Sequence, residues 1–169
     1  MAQTLKVESS KVLSAKLVNA LESGRRDEIL NSKLGVKLAK IELNHLFSSI
    51  KEFMSQARAN EDTGKYKITV EEKKCVLTNR KCRVEIVWHS LYKNSLKDAA
   101  LQIALFKRRF TFIGSVAPAP LQSKKLDELQ LLFDINADGK RGWRTQTAVP
   151  KSLSTTRLAD MVVQKFIAI

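Results

Sequence analysis

Apolar side chains recur at steps of three and four through the first sixty residues, which is the period of an amphipathic helix. Ser9 or Ser10 caps a first predicted helix that runs to about Glu22, and Gly24 follows as its stop. A second helix is predicted over 27–60. Its heptad-like seam indicates either a core-facing stripe or a surface for helix association, and we expect it to face the core. The seam consists of Ile29, Ser32, Val36, Ala39, Leu43, Leu46, Ile50, Phe53 and Ala57, with Gly35 placed to break the helix early.

The pattern changes from helical to alternating after a polar loop at 61–64. Residues 65–70 and 82–88 alternate between apolar and polar, and a shorter strand is predicted at 75–77. A tight turn at 78–81 joins the last two strands. The three strands form a meander with a solvated basic face. In the first strand Tyr66, Ile68 and Val70 share one face, and Lys65, Lys67 and Thr69 share the other.

Caps, glycines and prolines predict the remaining elements, and together they give an α+β fold. We expect a helical N-terminal region, 1–63, to pack on a small antiparallel β-sheet with further helices. Residues 64–169 would be the basic α+β core of one continuous domain. The elements are a helix over 96–107, a strand over 110–113, a helix over 123–133, a polar loop over 136–141, a strand over 144–149 and a helix from Arg157 towards Phe166.

The charge balance changes this picture most, because the chain carries a formal net charge of +13. Residues 1–63 contribute 10 basic and 8 acidic side chains, whereas residues 64–169 contribute 20 and 9. An apolar fraction of 44% with 28% charged residues argues against disorder throughout, a collagen-like chain or a disulfide scaffold. No apolar run reaches membrane-spanning length and the N-terminus lacks a signal-peptide core. We therefore expect an anionic partner in the cytosol or at the cytosolic side of a membrane.

Three groups of basic residues are the candidate contacts for that partner. Trp143 lies within the last group, and a basic loop with an exposed Trp suits an anionic membrane interface or single-stranded nucleic acid. Each group alone is also typical of a solvated surface. The groups are Lys73, Lys74, Arg80, Lys81 and Arg83; then Lys107, Arg108 and Arg109; then Lys140, Arg141 and Arg144.

Residues 134–139 match the first half of a calcium-binding loop, with oxygen ligands at the first, third and fifth positions. An apparent helix, 126–133, precedes them as in an EF-hand. The second half departs from the pattern, since Thr145 stands where a bidentate Glu is required and three basic residues repel a divalent cation. We therefore expect an Asn/Asp/Gly turn, and neither a metal nor another cofactor.

The reactive side chains show no catalytic arrangement. Cys75 and Cys82 stand symmetrically about the predicted 78–81 turn and could face each other across two strands, as half-buried free thiols. His45 and His89 are interpreted as structural or surface residues. The sequence has no Gly-x-Ser-x-Gly, His-Glu-x-x-His or Gly-rich phosphate loop. We predict that the protein is not an enzyme.

Residues 82–115 resemble part of the matrix proteins of rhabdoviruses, in particular the shorter ones of plant-infecting members. The resemblance lies in the alternating strand Arg83-Val84-Glu85-Ile86-Val87-Trp88, in Asn94-Ser95-Leu96-Lys97-Asp98-Ala99-Ala100 at the start of an alanine-containing helix, and in Phe110-Thr111-Phe112-Ile113-Gly114. It implies a structural protein of the virion. Such a protein self-associates and bridges the nucleocapsid, with its RNA, to an anionic membrane, in the host cytoplasm and at the cytosolic face of membranes.

Two further expectations go with this interpretation. The alternative is a basic RNA-binding accessory protein or silencing suppressor with no membrane role, although no known RNA-binding module is recognisable. Self-association is expected to use an apolar, proline-punctuated segment that is unsuited to a central strand. Its residues are Val116, Pro118, Pro120 and Leu121.

Overall fold

The structure, a computed structural model, describes residues 24–59, 65–109, 122–136 and 138–169. The predicted helix ending at Glu22, the predicted strand over 110–113 and the proposed self-association segment 116–121 lie outside these residues. Within the described ranges the chain forms three helices and seven strands. The helices are α1 (Arg26–Leu30), α2 (Lys33–Ala59) and α3 (Thr155–Ile167), and the strands are β1 (Lys67–Val70), β2 (Lys74–Thr78), β3 (Cys82–His89), β4 (Ala100–Arg109), β5 (Gln122–Ile135), β6 (Arg141–Thr145) and β7 (Ser152–Leu153).

The seven strands form one antiparallel sheet whose spatial order is their order in the chain. The α+β class and the early meander are therefore confirmed. The 78–81 turn also forms where expected, because Thr78 pairs with Arg83 across β2 and β3. Asn79 stabilises this turn, since its Oδ1 accepts the backbone N–H groups of Lys81 and Cys82, both at 2.7 Å.

One face of the sheet carries the hydrophobic core. β3 alternates strictly between buried and half-buried positions until its exposed last residue, His89, as its sequence predicts. The helix seam faces this core, since Leu46 and Ile50 of α2 have no exposed surface. Apolar residues of α1, α2, the sheet and α3 form a single buried cluster. The core-facing interpretation of the seam is confirmed for α2.

The early helix is interrupted at residues 31–32 rather than at Gly35. Gly35 lies inside α2, and a Cβ there would come within 2.6 Å of the carbonyl oxygen of Leu30. Only glycine permits the end of α1 to approach the start of α2 this closely. The helix is therefore interrupted, but at an earlier position than predicted. Gly35 instead allows the end of α1 to pack closely against the start of α2.

Two predicted helices are wrong: residues 100–109 form β4 and residues 122–135 form β5. Both segments are rich in Ala, Leu, Lys and Glu, which favour helices, and pairing with neighbouring strands overrides this preference. The alanine-containing helix in the resemblance to rhabdovirus matrix proteins coincides with β4. The strand–helix order on which that resemblance depends is therefore absent from the described part of the fold.

The C-terminal elements lie close to their predicted positions. β6 ends at Thr145, so the predicted strand over 144–149 is displaced towards the N-terminus. α3 begins at Thr155, two residues before its predicted start at Arg157, and it is capped by Ser154, whose Oγ accepts the N–H of Arg157 at 3.2 Å. No helix within the described ranges has the length and apolarity needed to cross a bilayer.

Candidate polyanion-binding surface

The face of the sheet opposite the helices carries a row of polar and basic side chains. Cross-strand pairing places Lys67 opposite Thr78 and Thr78 opposite Arg83, so that these side chains share this outer face. This row of side chains crosses β1, β2 and β3 at the end of the sheet that holds the 79–81 turn. We call this end the turn end, and the opposite end, which holds the connection between β3 and β4, the loop end.

A shallow groove of about 640 Å³ lies on the outer face over β1, β2 and β3. Small side chains such as Thr69, Val76 and Thr78 line it between longer basic ones. Five basic side chains and one carboxylate, that of Glu71, contribute to its wall. The five are Lys65, Lys67, Lys74, Arg83 and Arg108.

Only part of this charge is neutralised by neighbouring carboxylates. Glu85 lies 2.6 Å from the Arg83 Nη2 and 3.8 Å from the Lys74 Nζ, so one carboxylate is shared by two cations. Arg108 Nη1 donates to the carbonyl oxygen of Asn79 at 3.0 Å, and among the described residues no carboxylate forms an ion pair with it. The groove therefore keeps a net positive charge.

Further basic side chains lie at the turn end, outside the groove. Arg80 and Lys81 are exposed in the turn, and Lys107 is exposed near the end of β4. Lys124 of β5, which belongs to none of the three groups predicted from sequence, pairs with Lys107. Because Lys107 pairs with the buried Cys82, both lysines lie on the helix side of the sheet. Within the described part of the chain, these four side chains form no ion pair. Arg109 ends β4 beside them, where its backbone pairs with Gln122.

Carboxylates further along β5 neutralise other lysines. Lys165 Nζ donates to the Asp127 carboxylate at 2.5 Å, and Lys125 Nζ donates to that of Glu128 at 2.6 Å. These hydrogen bonds lower the pKa of Asp127 and of Glu128. Lys125 and Lys165 are consequently poorer candidates for binding an external anion.

The third basic group lies at the loop end, where Arg141 and Arg144 are occupied by internal contacts and Lys140 is exposed. Trp143 is only 1% exposed, and its ring lies edge-on to Phe133 and Trp88. Arg141 Nε lies 3.2 Å from the buried Glu42 carboxylate, and Arg144 Nε lies 4.0 Å from that of Asp134. The prediction of an exposed Trp in a free basic loop is therefore wrong. Residue 143 faces the core because it pairs with Phe133 on the covered side of the sheet.

Lys73 and Lys74 are neighbours in sequence but belong to different surfaces. Lys74 lines the groove, whereas Lys73 Nζ donates to the Ser90 Oγ at 3.0 Å, at the loop end. The structure thus brings together most of the first two basic groups and separates the third group and Lys73 from them. Lys65 and Lys67 belong to none of the three groups, but they had a signal in the sequence, since they alternate with Tyr66 and Ile68 in the first predicted strand.

The two cysteines are free and fully buried. They are more buried than the half-buried thiols predicted, and they do not face each other as the sequence allowed, because Cys75 pairs with Ile86 and Cys82 pairs with Lys107. Burial raises the pKa of Cys75 to about 12 and also raises the pKa of Cys82. Neither thiol is activated for chemistry.

The histidines have polar contacts only. His45 is half exposed, with its Nδ1 3.7 Å from the Glu42 carboxylate. His89 is hydrogen-bonded to Gln102 at 3.0 Å on the outer face of the sheet. These contacts place no nucleophile beside either ring.

The calcium-like segment forms a strand end and a turn. The predicted helix before it is wrong, since Asp134 belongs to β5 and its carboxylate is paired with Arg26 and near Arg144. The Asn136 Oδ1 accepts the backbone N–H groups of residues 138 and 140, which gives the expected Asn/Asp/Gly turn. Among the residues that the structure describes, no three His, Cys, Asp or Glu side chains form a group that could hold a metal ion.

The chain matches no protein-family model, no curated protein and no solved structure. The resemblance to rhabdovirus matrix proteins therefore stays a hypothesis.

Proposed function

We propose that this chain is a viral matrix-type structural protein that self-associates and bridges a ribonucleoprotein nucleocapsid to an anionic membrane. The observation that supports it best is the groove on the open face of the sheet, with its five basic side chains and single carboxylate. Such a protein belongs to the virion, the host cytoplasm and the cytosolic face of membranes. The proposal includes the packing of the whole N-terminal region, 1–63, on the sheet.

The groove fits the phosphate backbone of RNA better than its bases. Its aromatic residue, Tyr66, is half buried, and its hydroxyl donates to the carbonyl oxygen of Met54 at 3.2 Å. Lys67 and Arg108 instead offer charged donors that suit phosphate oxygens. Contacts of this kind carry no sequence information, so binding is expected to be insensitive to sequence and strongly weakened by salt.

The second candidate is an RNA-binding accessory protein with no membrane role. The groove supports it equally, because its basic side chains suit phosphate groups and need no bilayer, whereas the burial of Trp143 removes a side chain that would have suited either partner. Both candidates share the groove as their RNA contact. They differ in whether the protein also binds a bilayer.

Self-association separates the two candidates as well. A matrix function requires higher oligomers, and the proposed segment 116–121 lies outside the described residues. Sedimentation of the wild type and of a chain lacking 116–121, at low and moderate salt, measures this directly. A wild type that stays monomeric at high concentration and with lipid present would contradict the matrix proposal.

The groove is tested by charge removal with a matched control. The variant Lys67→Gln/Lys74→Gln/Arg108→Gln removes three charges from the groove. The control Lys140→Gln/Lys151→Gln/Arg157→Gln removes the same charge from exposed sites outside it. Fluorescence anisotropy of a labelled single-stranded RNA, measured over a range of salt concentrations, gives the affinity and its salt dependence.

The groove variant is expected to bind more weakly at low salt and to show a shallower slope of log K against log salt. Each phosphate that the protein no longer neutralises changes that slope by roughly 0.7 for a single strand. The control is expected to keep the wild-type slope. Equal losses of affinity in both variants would show that only the overall charge matters, and a wild type that does not bind RNA would refute this part of the proposal.

A further inference from the structure

A second pocket, of about 510 Å³, lies at the loop end of the sheet, away from the turn end. It is formed by the start of α2, the turn between β1 and β2, and the connection between β3 and β4. Its base is apolar, since it includes the nearly buried side chains of Leu43 and Trp88. We call it the loop-end pocket.

The rim of the loop-end pocket exposes two adjacent large side chains to solvent. Leu91 is 74% exposed and Tyr92 is 48% exposed. The connection that carries them is held in place, because Tyr92 forms a β-bridge with Ser95 and the N–H of Leu96 donates to the carbonyl oxygen of Leu30 at 3.2 Å. A hydrogen-bonded loop therefore presents these two side chains outwards.

Lysines surround these apolar side chains. Lys93 follows them in sequence, and Lys73 is tied to the same connection through Ser90. Lys40 of α2 is the third cation of the lining, and Glu72 is the carboxylate beside it, at 3.1 Å. The Lys40 hydrogen bond lowers the pKa of Glu72, so this carboxylate is ionised at neutral pH and offsets one charge. Lys73 and Lys93 remain for an external anion.

We propose that the Leu91–Tyr92–Lys93 segment and the lysines around the loop-end pocket bind the interfacial region of an anionic bilayer. Leu91 would enter the acyl boundary, Tyr92 would lie at headgroup depth, and Lys73 and Lys93 would contact lipid phosphates or carboxylates. This proposal rests on the bridging function proposed above, for which it supplies the membrane-facing surface.

The size of the patch favours a bilayer over a folded protein partner. A stable protein interface buries on the order of 1,000 Å² or more, with many residues on each side. Here two protruding side chains carry the exposed apolar surface. Such a small patch gives weak, reversible binding, which many copies on one membrane strengthen by multivalency. The nucleic-acid groove shares no lining residue with the loop-end pocket.

Flotation with phosphatidylcholine vesicles, with and without phosphatidylserine, tests this surface. The variant Leu91→Ser/Tyr92→Ser is compared with Val149→Ser, because Val149 is 73% exposed in the connection between β6 and β7. We expect the double variant to lose about tenfold or more in binding to anionic vesicles. The control is expected to bind like the wild type. Equal binding by the double variant and the wild type would overturn the proposal.

A second measurement tests insertion depth in the folded protein. A Tyr92→Trp variant adds one exposed indole to two buried ones, and quenching by brominated lipids reports its contact with the bilayer. We expect quenching with anionic vesicles and weaker quenching after Lys73→Gln/Lys93→Gln. No additional quenching relative to the wild type would contradict the proposal.

The groove variant separates this proposal from the nucleic-acid part of the proposed function. It is expected to keep vesicle binding while it loses RNA affinity. Loss of vesicle binding in the groove variant with none in the Leu91/Tyr92 variant would refute the loop-end surface. That outcome would not affect the RNA-binding measurement, which tests the groove separately.

Discussion

Replacing Thr155 with valine keeps the shape of a side chain that is 3% exposed and removes one hydroxyl group. That hydroxyl donates to the Glu42 carboxylate at 2.5 Å and accepts the indole N–H of Trp143 at 3.1 Å. It thereby connects α2, β6 and the first turn of α3. The substitution breaks both hydrogen bonds without creating a cavity.

The cost follows from the two partners that remain buried. The indole N–H of Trp143 loses its acceptor, and Glu42 keeps Arg141 at 3.2 Å but loses a donor to a charged oxygen. Leaving a buried polar group unsatisfied costs about 1–3 kcal/mol, with more for charged groups. We expect Thr155→Val to lower the free energy of unfolding by about 2–4 kcal/mol.

Equilibrium urea unfolding, followed by circular dichroism, measures this change. The matched control is Thr156→Val, which makes the same substitution at an exposed position in the same turn of α3. Its effect is expected to stay within about 0.5 kcal/mol. A decrease below about 0.5 kcal/mol for Thr155→Val as well would show that the buried network does not form as described, and would reopen a surface role for Trp143.

Three other predictions concern the core, the thiols and one ion pair. Leu46→Asp is expected to unfold the protein, because its side chain has no exposed surface, whereas Ile41→Asp on the exposed face of α2 leaves circular dichroism unchanged. The Cys75 thiol, with a pKa of about 12, is expected to resist thiol reagents at about pH 8 until the protein is denatured, and rapid native labelling would contradict its burial. Lys165→Met should raise the pKa of Asp127 in a carboxyl NMR titration. Any stability from this pair is present at neutral pH and is lost as pH falls through the depressed pKa, so the wild type and the variant should converge in acid.

The elements predicted correctly from sequence are those in which one face is buried and the other is exposed to solvent. β3 shows this alternation along most of its length, and the seam of α2 shows it at the helical period. In both cases the pattern of burial is a local property of the sequence. β4 lies between two strands, and Ala104 on its outer face is also buried. Its apolar residues therefore do not alternate with polar ones, and the sequence pattern of β4 does not distinguish a strand from a helix.

The candidate surface was predictable in part for a related reason. Lysines and arginines of the first two groups converge because antiparallel pairing brings the 79–81 turn beside the end of β4. The burial of Trp143 depends instead on hydrogen bonds that link it to Thr155 and, through Thr155, to the distant Glu42. No local sequence pattern reveals these partners. Composition correctly indicated a basic surface, but only the register of the strands separates the free cations from the paired ones.

Co-flotation of RNA tests the central proposal, that one protein holds nucleic acid in its groove and a bilayer at its loop end. Labelled single-stranded RNA is mixed with vesicles containing phosphatidylserine, with and without the protein, and the floated fraction is assayed for RNA. We expect RNA to float only when the protein is present, and both Lys67→Gln/Lys74→Gln/Arg108→Gln and Leu91→Ser/Tyr92→Ser to abolish its flotation for different reasons. The first variant is expected to float without RNA, and the second is expected to stay with RNA at the bottom of the gradient. Competition between RNA and vesicles for the wild-type protein, so that either ligand displaces the other, would contradict the proposal.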